Sequence, residues 1–129
     1  MAQVKIYGLR ESMQKIKNEF SNVVHKCVVE ALKFPQEKRF HRFFLMDRED
    51  MLFPDTKSSS YTIVEITLMS GRSKEAKKSL IKLLFKQIEA ELNIELNDLE
   101  IVLIEVPAEN FGFRGMCGDE IELNYKIEV

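Results

Sequence analysis

Apolar residues recur along this chain with two periods, and the switches between them mark its elements. Residues 4–9, Val-Lys-Ile-Tyr-Gly-Leu, predict a short strand weakened at its end by Gly8. From Met13 the spacing changes: Ile16, Phe20, Val23, Val24, Cys27, Val28, Ala31 and Leu32 return at steps of three and four. That stripe predicts one helix over about 12–33. Pro35 bars its continuation, because proline disfavours helical geometry in the residue before it. The phenylalanine-rich residues 39–46 predict a second strand, and the polar stretch 47–60, with Pro54 and three serines, reads as a surface loop.

The β-branched residues 61–69 predict a third strand. Gly71 breaks it, and Ser73 is placed to cap a second helix by accepting a backbone N–H bond. Ala76, Leu80, Ile81, Leu84, Phe85, Ile88 and Leu92 supply that helix's apolar face. Residues 99–106 are nearly continuously apolar, which predicts a central strand covered on both faces. Finally Ile121, Leu123, Tyr125, Ile127 and Val129 alternate with polar residues, predicting a C-terminal strand over 121–129. It could pair with its own sheet or with a neighbouring subunit.

The two halves, about 3–46 and 61–106, repeat one plan of strand, helix and strand. Leu32 parallels Leu92 and Phe34 parallels Ile94, each 60 positions on. Gly8-Leu9-Arg10-Glu11-Ser12 parallels Gly71-Arg72-Ser73, so Arg10 mirrors Arg72. A crossover helix between parallel strands covers one face of their sheet. The expected fold is therefore α/β (α+β): a tandem β-α-β repeat forming one four-stranded sheet with both helices on one face, a single domain over 1–129. The uncovered face reads as largely apolar, which predicts self-association.

The chain has 129 residues, 45% hydrophobic and 31% charged, with a net charge of −2. Both signs are interspersed, so neither a nucleic-acid nor a membrane partner is expected. Two cysteines, Cys27 and Cys117, make no disulfide framework, and the start of the chain lacks a signal-peptide core. A cytoplasmic location is expected. Cys27, Cys117, His25 and His41 lack zinc-ligand spacing, and no metal site is expected.

Candidate chemistry centres on arginines. Arg72 lies between a strand and a helix, where ligands gather in α/β units, and its guanidinium suits a two-pronged grip on a carboxylate. The competing reading is a helix-start arginine paired with Glu75. Arg39 and His41 share one face of the second strand, with Arg42 on the other. Arg39, nearest the connection that carries Glu37, is the expected binder of the two, and the histidine is expected to be structural. Arg114 lies between Gly112 and Gly115, where Phe111 or Phe113 would form an apolar wall; the competing reading is a turn stabilised by the arginine. Glu37 sits in the connection before the second strand; its alternative is a solvated loop acid.

Several of these segments carry a family resemblance. The duplicated β-α-β plan, the Gly71-Arg72-Ser73 turn, FPQEKRFHRF (34–43), and NFGFRG (110–115) with Gly118-Asp119 resemble the tautomerase superfamily. They are most similar to its branch that includes malonate semialdehyde decarboxylase. The resemblance implies a homotrimer with active sites at subunit boundaries near the start of the first strand, and no metal or organic cofactor. It matches Arg72 to a substrate-binding arginine and Glu37 to an acid that positions water or a carbonyl. Active members begin with a catalytic proline after removal of Met. This chain begins Met1-Ala2-Gln3, so Ala2 stands where that proline is expected.

Two functions follow. One is a tautomerase- or decarboxylase-type enzyme acting on a small keto, enol or unsaturated carboxylic acid, altered or weakened by Ala2. In that reading Ala2, Glu37 and Arg72 are catalytic, and Arg39, Arg114, His41 and Phe111 bind substrate. The alternative is a non-catalytic trimer that binds a metabolite anion or a protein partner.

Overall fold

A computed structural model describes residues 2–129; Met1 lies outside the described residues. The chain runs through β1 (Ala2–Leu9), α1 (Arg10–Met13), α2 (Lys17–Leu32), β2 (His41–Met46), β3 (Thr62–Met69), α3 (Lys74–Leu92) and β4 (Leu99–Val106), then a small hairpin, β5 (Gly112–Phe113) and β6 (Met116–Cys117). The first four large strands form one sheet in the order β2-β1-β3-β4. β1 and β2 are parallel, as are β3 and β4, while β1 and β3 run antiparallel at the centre. The tandem β-α-β plan stands as the sequence predicts, with α2 and α3 as its crossovers.

The repeat is kept in the register itself. Val4 pairs with His41 in the first unit, and Val64 with Ile101 in the second, 60 positions later in both strands. Both long helices end on a left-handed residue, Lys33 (φ 52°) and Asn93 (φ 54°), again 60 apart. Ser73 caps α3 by accepting from the Ala76 N–H at 3.1 Å. The first predicted helix is broken into α1 and α2, because residues 14–16 turn between them.

The core lies between the sheet and the two helices. Val4, Ile6, Val64, Ile66 and Leu68 meet Phe20, Val24, Leu32, Leu80, Leu84 and Ile88, all buried. The other face corrects the sequence reading: it is mixed rather than largely apolar. Lys5 and Glu65 sit directly opposite each other at its centre. Apolar surface lies towards the flanks, where Phe44, Val102 and Ile104 are exposed. Tyr7 stacks on Phe44 with ring centroids 4.8 Å apart.

Two strand assignments also change. β4 is an edge strand, not a central one, so its apolar run has one half-buried and one exposed side. Residues 121–129 form no strand in this chain. Their odd-numbered side chains are half-buried and the even-numbered ones exposed, so the alternation is real. It records packing against the body of the protein instead of a ladder.

Candidate active site at one end of the sheet

Strand directions gather the candidate residues. β1 and β2 begin at the end of the sheet where β3 and β4 finish. Ala2, the 34–40 connection, the turn after β3 and the 107–118 segment therefore share that end. Ala2 pairs with Leu68, one residue before the end of β3, and the Val4 N–H donates to the Phe40 carbonyl at 2.9 Å.

Arg72 is held here by a turn only glycine suits. Gly71 has φ 138°, and a β-carbon there would lie 2.9 Å from Ile127 Cγ2. Arg72 is 5% exposed. Its Nη1 donates to the Met69 carbonyl at 3.0 Å, while the buried Nε and Nη2 have no hydrogen-bond partner among the described residues. Glu75 does not pair with it. Burial lowers the Arg72 pKa, with Tyr125 and Glu105 pulling the other way. Glu105 is already engaged by Lys77 Nζ at 2.7 Å. A buried cation with two unused N–H groups is costly unless an anion completes it.

The opposite end of the sheet, related by the repeat, is neutralised from within. Arg48 grips Glu11 with two bonds of 2.7 and 3.0 Å, Arg10 donates to Asp47 and the Leu45 carbonyl, and Lys57 lies 3.8 Å from Glu100. Arg10 mirrors Arg72 in sequence but not in circumstance.

The other candidates take varied places. Arg39 and His41 do share a face, towards α2: Arg39 Nη1 donates to Asn22 Oδ1 at 2.6 Å, and His41 Nδ1 lies 2.8 Å from Ser21 Oγ. Arg42 is on the other face, donating to Gln3 Oε1. The His25 ring lies edge-on to His41 at 5.8 Å, with Nε2 2.6 Å from the Gln36 carbonyl oxygen. Arg39, His25 and Gln36 line an open groove along α2. Glu37 is exposed in the turn just before it. Phe111 is buried, and its carbonyl accepts from the Gly118 N–H at 2.7 Å. Arg114 and Gly115, with φ 56° and 73°, make the two-residue turn of the β5–β6 hairpin. Arg114 is exposed and its guanidinium lies 5.6 Å from the Phe113 ring.

Burial, then the His25 and Arg39 charges, lowers the His41 pKa to about 4. The imidazole is neutral at pH 7. An unfolded histidine binds its proton near pH 6.5, so between 6.5 and 4 the unfolded chain holds one more proton. Stability should therefore fall as pH drops through this window, by up to about 3 kcal/mol from this group. Urea midpoints at pH 7 and 4.5 test it: His41→Gln should lose less stability than the parent. Parallel losses would assign the acid sensitivity elsewhere.

Sequence reasoning missed Tyr125, counting it only as one inward position of a strand. Its ring packs edge-on against Phe34 at 5.2 Å, beneath Lys38 Nζ at 4.9 Å. Burial raises its pKa, and the Arg72 and Arg114 charges oppose that rise. Nothing local in 121–129 links the tyrosine to Phe34 or Lys38.

A family model described as "Tautomerase enzyme" matches residues 38–114. A curated relative, "Probable tautomerase YrdN" of Bacillus subtilis (strain 168), is 27% identical over 97 residues, 71% of this chain and 74% of the relative. Among solved structures, native fused 4-OT superposes with a TM-score of 0.83 at 17% identity, covering 92% of this chain and 98% of that one. Malonate semialdehyde decarboxylase superposes at 0.78 and 21% identity, covering 88% and 92%. The family match spans the β2 to β5 region and includes Arg39, His41, Arg72, Phe111 and Arg114; Ala2 and Glu37 precede it.

Proposed function

We propose, from the premise that this chain belongs to the tautomerase superfamily, that it binds a small keto, enol or unsaturated carboxylic acid and moves a proton beside the carboxylate. One observation carries the reading: the buried Arg72 guanidinium, with two N–H groups unused, at the end of the sheet where β1 begins. A carboxylate accepting from Nε and Nη2 would satisfy both groups at once. With the acid held there, its reactive carbon lies towards the amino end of β1.

Removal of Met1 would leave a primary amine on Ala2, with an ordinary pKa of about 7.7–8. A nearby cation and burial would both lower such a value. A neutral amine then serves as a base, or as a nucleophile that forms an imine with a keto acid. Glu37, one turn before β2, is the acid proposed to assist. Arg39, Arg114, His41 and Phe111 are proposed to shape the pocket and its charge. Keto–enol tautomerisation, decarboxylation and hydration of an unsaturated acid all fit this set, and none requires a metal or organic cofactor.

We place the chain in the cytoplasm as a homotrimer of single-domain subunits, without nucleic-acid or membrane partners. A similar structure, R7 fused 4-OT, is an asymmetric trimer. The exposed Phe44, Val102 and Ile104 supply apolar surface for such contacts.

A second reading rests on Ala2, which lacks the ring amine and is 4% exposed within the core. In that reading the protein is a trimer that binds an anion or a protein and turns nothing over. Assaying enol phenylpyruvate, together with borohydride trapping of a keto acid, separates the two. Slow but protein-dependent ketonisation with a trapped adduct at the N-terminus supports the enzyme. Carboxylate binding without either result supports the second reading.

A further inference from the structure

We propose that residues 121–129 form a strap closed over Arg72, and that a small carboxylate must lift it to reach the guanidinium, so that acid binding and strap opening are one coupled equilibrium. The inference rests on the carboxylate reading of Arg72 and adds how access to that site is controlled.

The placement comes from two contacts that flank Arg72 in sequence. Ile127 seats on Gly71, where a β-carbon would lie 2.9 Å from its Cγ2, and the Ser73 N–H donates to the Val129 carbonyl at 3.0 Å. Further back, the Tyr125 ring leans edge-on against Phe34. With the segment in this position Arg72 is buried, and its Nε and Nη2 reach neither solvent nor a partner among the described residues.

A carboxylate cannot accept from those two groups until a covering element moves. β3 pairs with β1 on one side and β4 on the other, and Ser73 caps α3, so the elements that carry Arg72 are held on every side. Residues 121–129 join no ladder, and their side chains alternate between half-buried and exposed. A segment that adheres by one partly buried edge opens at lower free energy than the core does.

Opposing effects make the strap a switch. Closed, it packs Ile127 against the turn but leaves two guanidinium N–H groups unsatisfied, which is costly. Lifted, it loses that packing, and an acid accepting from Nε and Nη2 satisfies both groups. The acid binds the lifted state alone, so its apparent affinity is the intrinsic affinity scaled by the fraction lifted.

Amide hydrogen exchange, with calorimetry of pyruvate binding, tests this on the full chain. Ile127→Ala removes the seat on Gly71 and should raise the lifted fraction about three- to tenfold, a half-buried side chain being lost. The Ser73 amide should exchange faster by that factor, and pyruvate should bind more tightly by the same factor. The Lys77 amide, which donates to the Ser73 carbonyl within α3, should exchange as before. Ile127→Val should move both readings the same way by about twofold, and carries the test if the alanine variant does not fold. In the intact protein, saturating pyruvate should speed Ser73 exchange at least about tenfold, since the lifted state then dominates.

Faster Ser73 exchange with pyruvate affinity unchanged or weaker would describe a loose tail that does not guard Arg72, and would overturn the inference. Exchange that responds to neither variant nor to pyruvate would make the segment a fixed part of the fold, with the same consequence. Arg72→Gln in the Ile127→Ala background tests the underlying site, and should weaken pyruvate at least about tenfold. If it does not, or if Ile127→Ala itself binds no pyruvate, the carboxylate reading fails, and the gating role with it, whatever the exchange rates show.

Discussion

Replacing Arg72 should cut carboxylate binding and turnover by at least about 100-fold while making the folded protein more stable. The two effects have one origin. Two charge-assisted hydrogen bonds to a carboxylate contribute about 3–6 kcal/mol, which is a factor of 10² or more. Without a ligand the same guanidinium is a buried charge whose Nε and Nη2 are unsatisfied. Arg72→Met keeps the length and apolar stem, removes the charge, and gives up the bond to the Met69 carbonyl and the weaker pull of Glu105 and Tyr125 on the charge. Relief of a buried unpaired charge by an apolar residue is worth about 1–4 kcal/mol, and the lost neutral-acceptor bond returns about 1 to 3. A net gain of about 1 kcal/mol, or about 3–5 °C in Tm for a chain of this length, is expected. Thermal unfolding and calorimetry with a small acid on one preparation read both effects. An arginine serving only to staple the turn would give the opposite sign, loss of stability with binding unchanged.

The fold was legible because the repeat is written in spacings that physics enforces. Left-handed helix ends at Lys33 and Asn93, and strand registers 60 residues apart, follow from apolar positions that recur at the same interval. Edge and centre were not legible. A continuous apolar run such as 99–106 usually marks a strand covered on both faces, yet β4 lies at the rim. Single-chain burial does not explain Val102 and Ile104; a surface meant for another subunit would. The 121–129 segment shows the same ambiguity from the other side. Alternation says which side chains turn inward, but a ladder needs a neighbouring strand, and none adjoins that segment among the described residues.

The site was legible in part. Arg72 could be chosen because a glycine, an arginine and a capping serine between strand and helix leave little doubt about its place. Its burial and unsatisfied N–H groups could not be read, since both depend on the C-terminal segment folding back over Gly71. Arg39 and His41 were assigned to one face correctly, but their partners, Asn22 and Ser21, lie on α2 at a distance only the packed structure defines. Tyr125 escaped for the same reason: it is far in sequence from Phe34, Lys38 and Arg72.

Installing proline at position 2 should raise tautomerase turnover, by about 10- to 100-fold if the pocket is otherwise competent. General acid–base catalysis by a placed group contributes about 10²–10⁴, and an Ala2 amine freed by loss of Met1 would supply some of it. A proline amine is secondary, and a rigid ring aims its lone pair where a primary amine rotates. The substitution is tolerable in the fold only once Met1 is gone. As a terminal residue proline contributes an amine, whereas inside the chain it removes a backbone donor from β1, which pairs on both sides. Intact mass must therefore show loss of Met1 before rates are compared. With processing confirmed and the Tm unchanged, recovered activity would mean that Arg72 and its surroundings already form a working pocket and that the amine alone limits it. No recovery, in a protein that still binds pyruvate, would favour the non-catalytic reading, in which the cationic end of the sheet is kept for holding an acid.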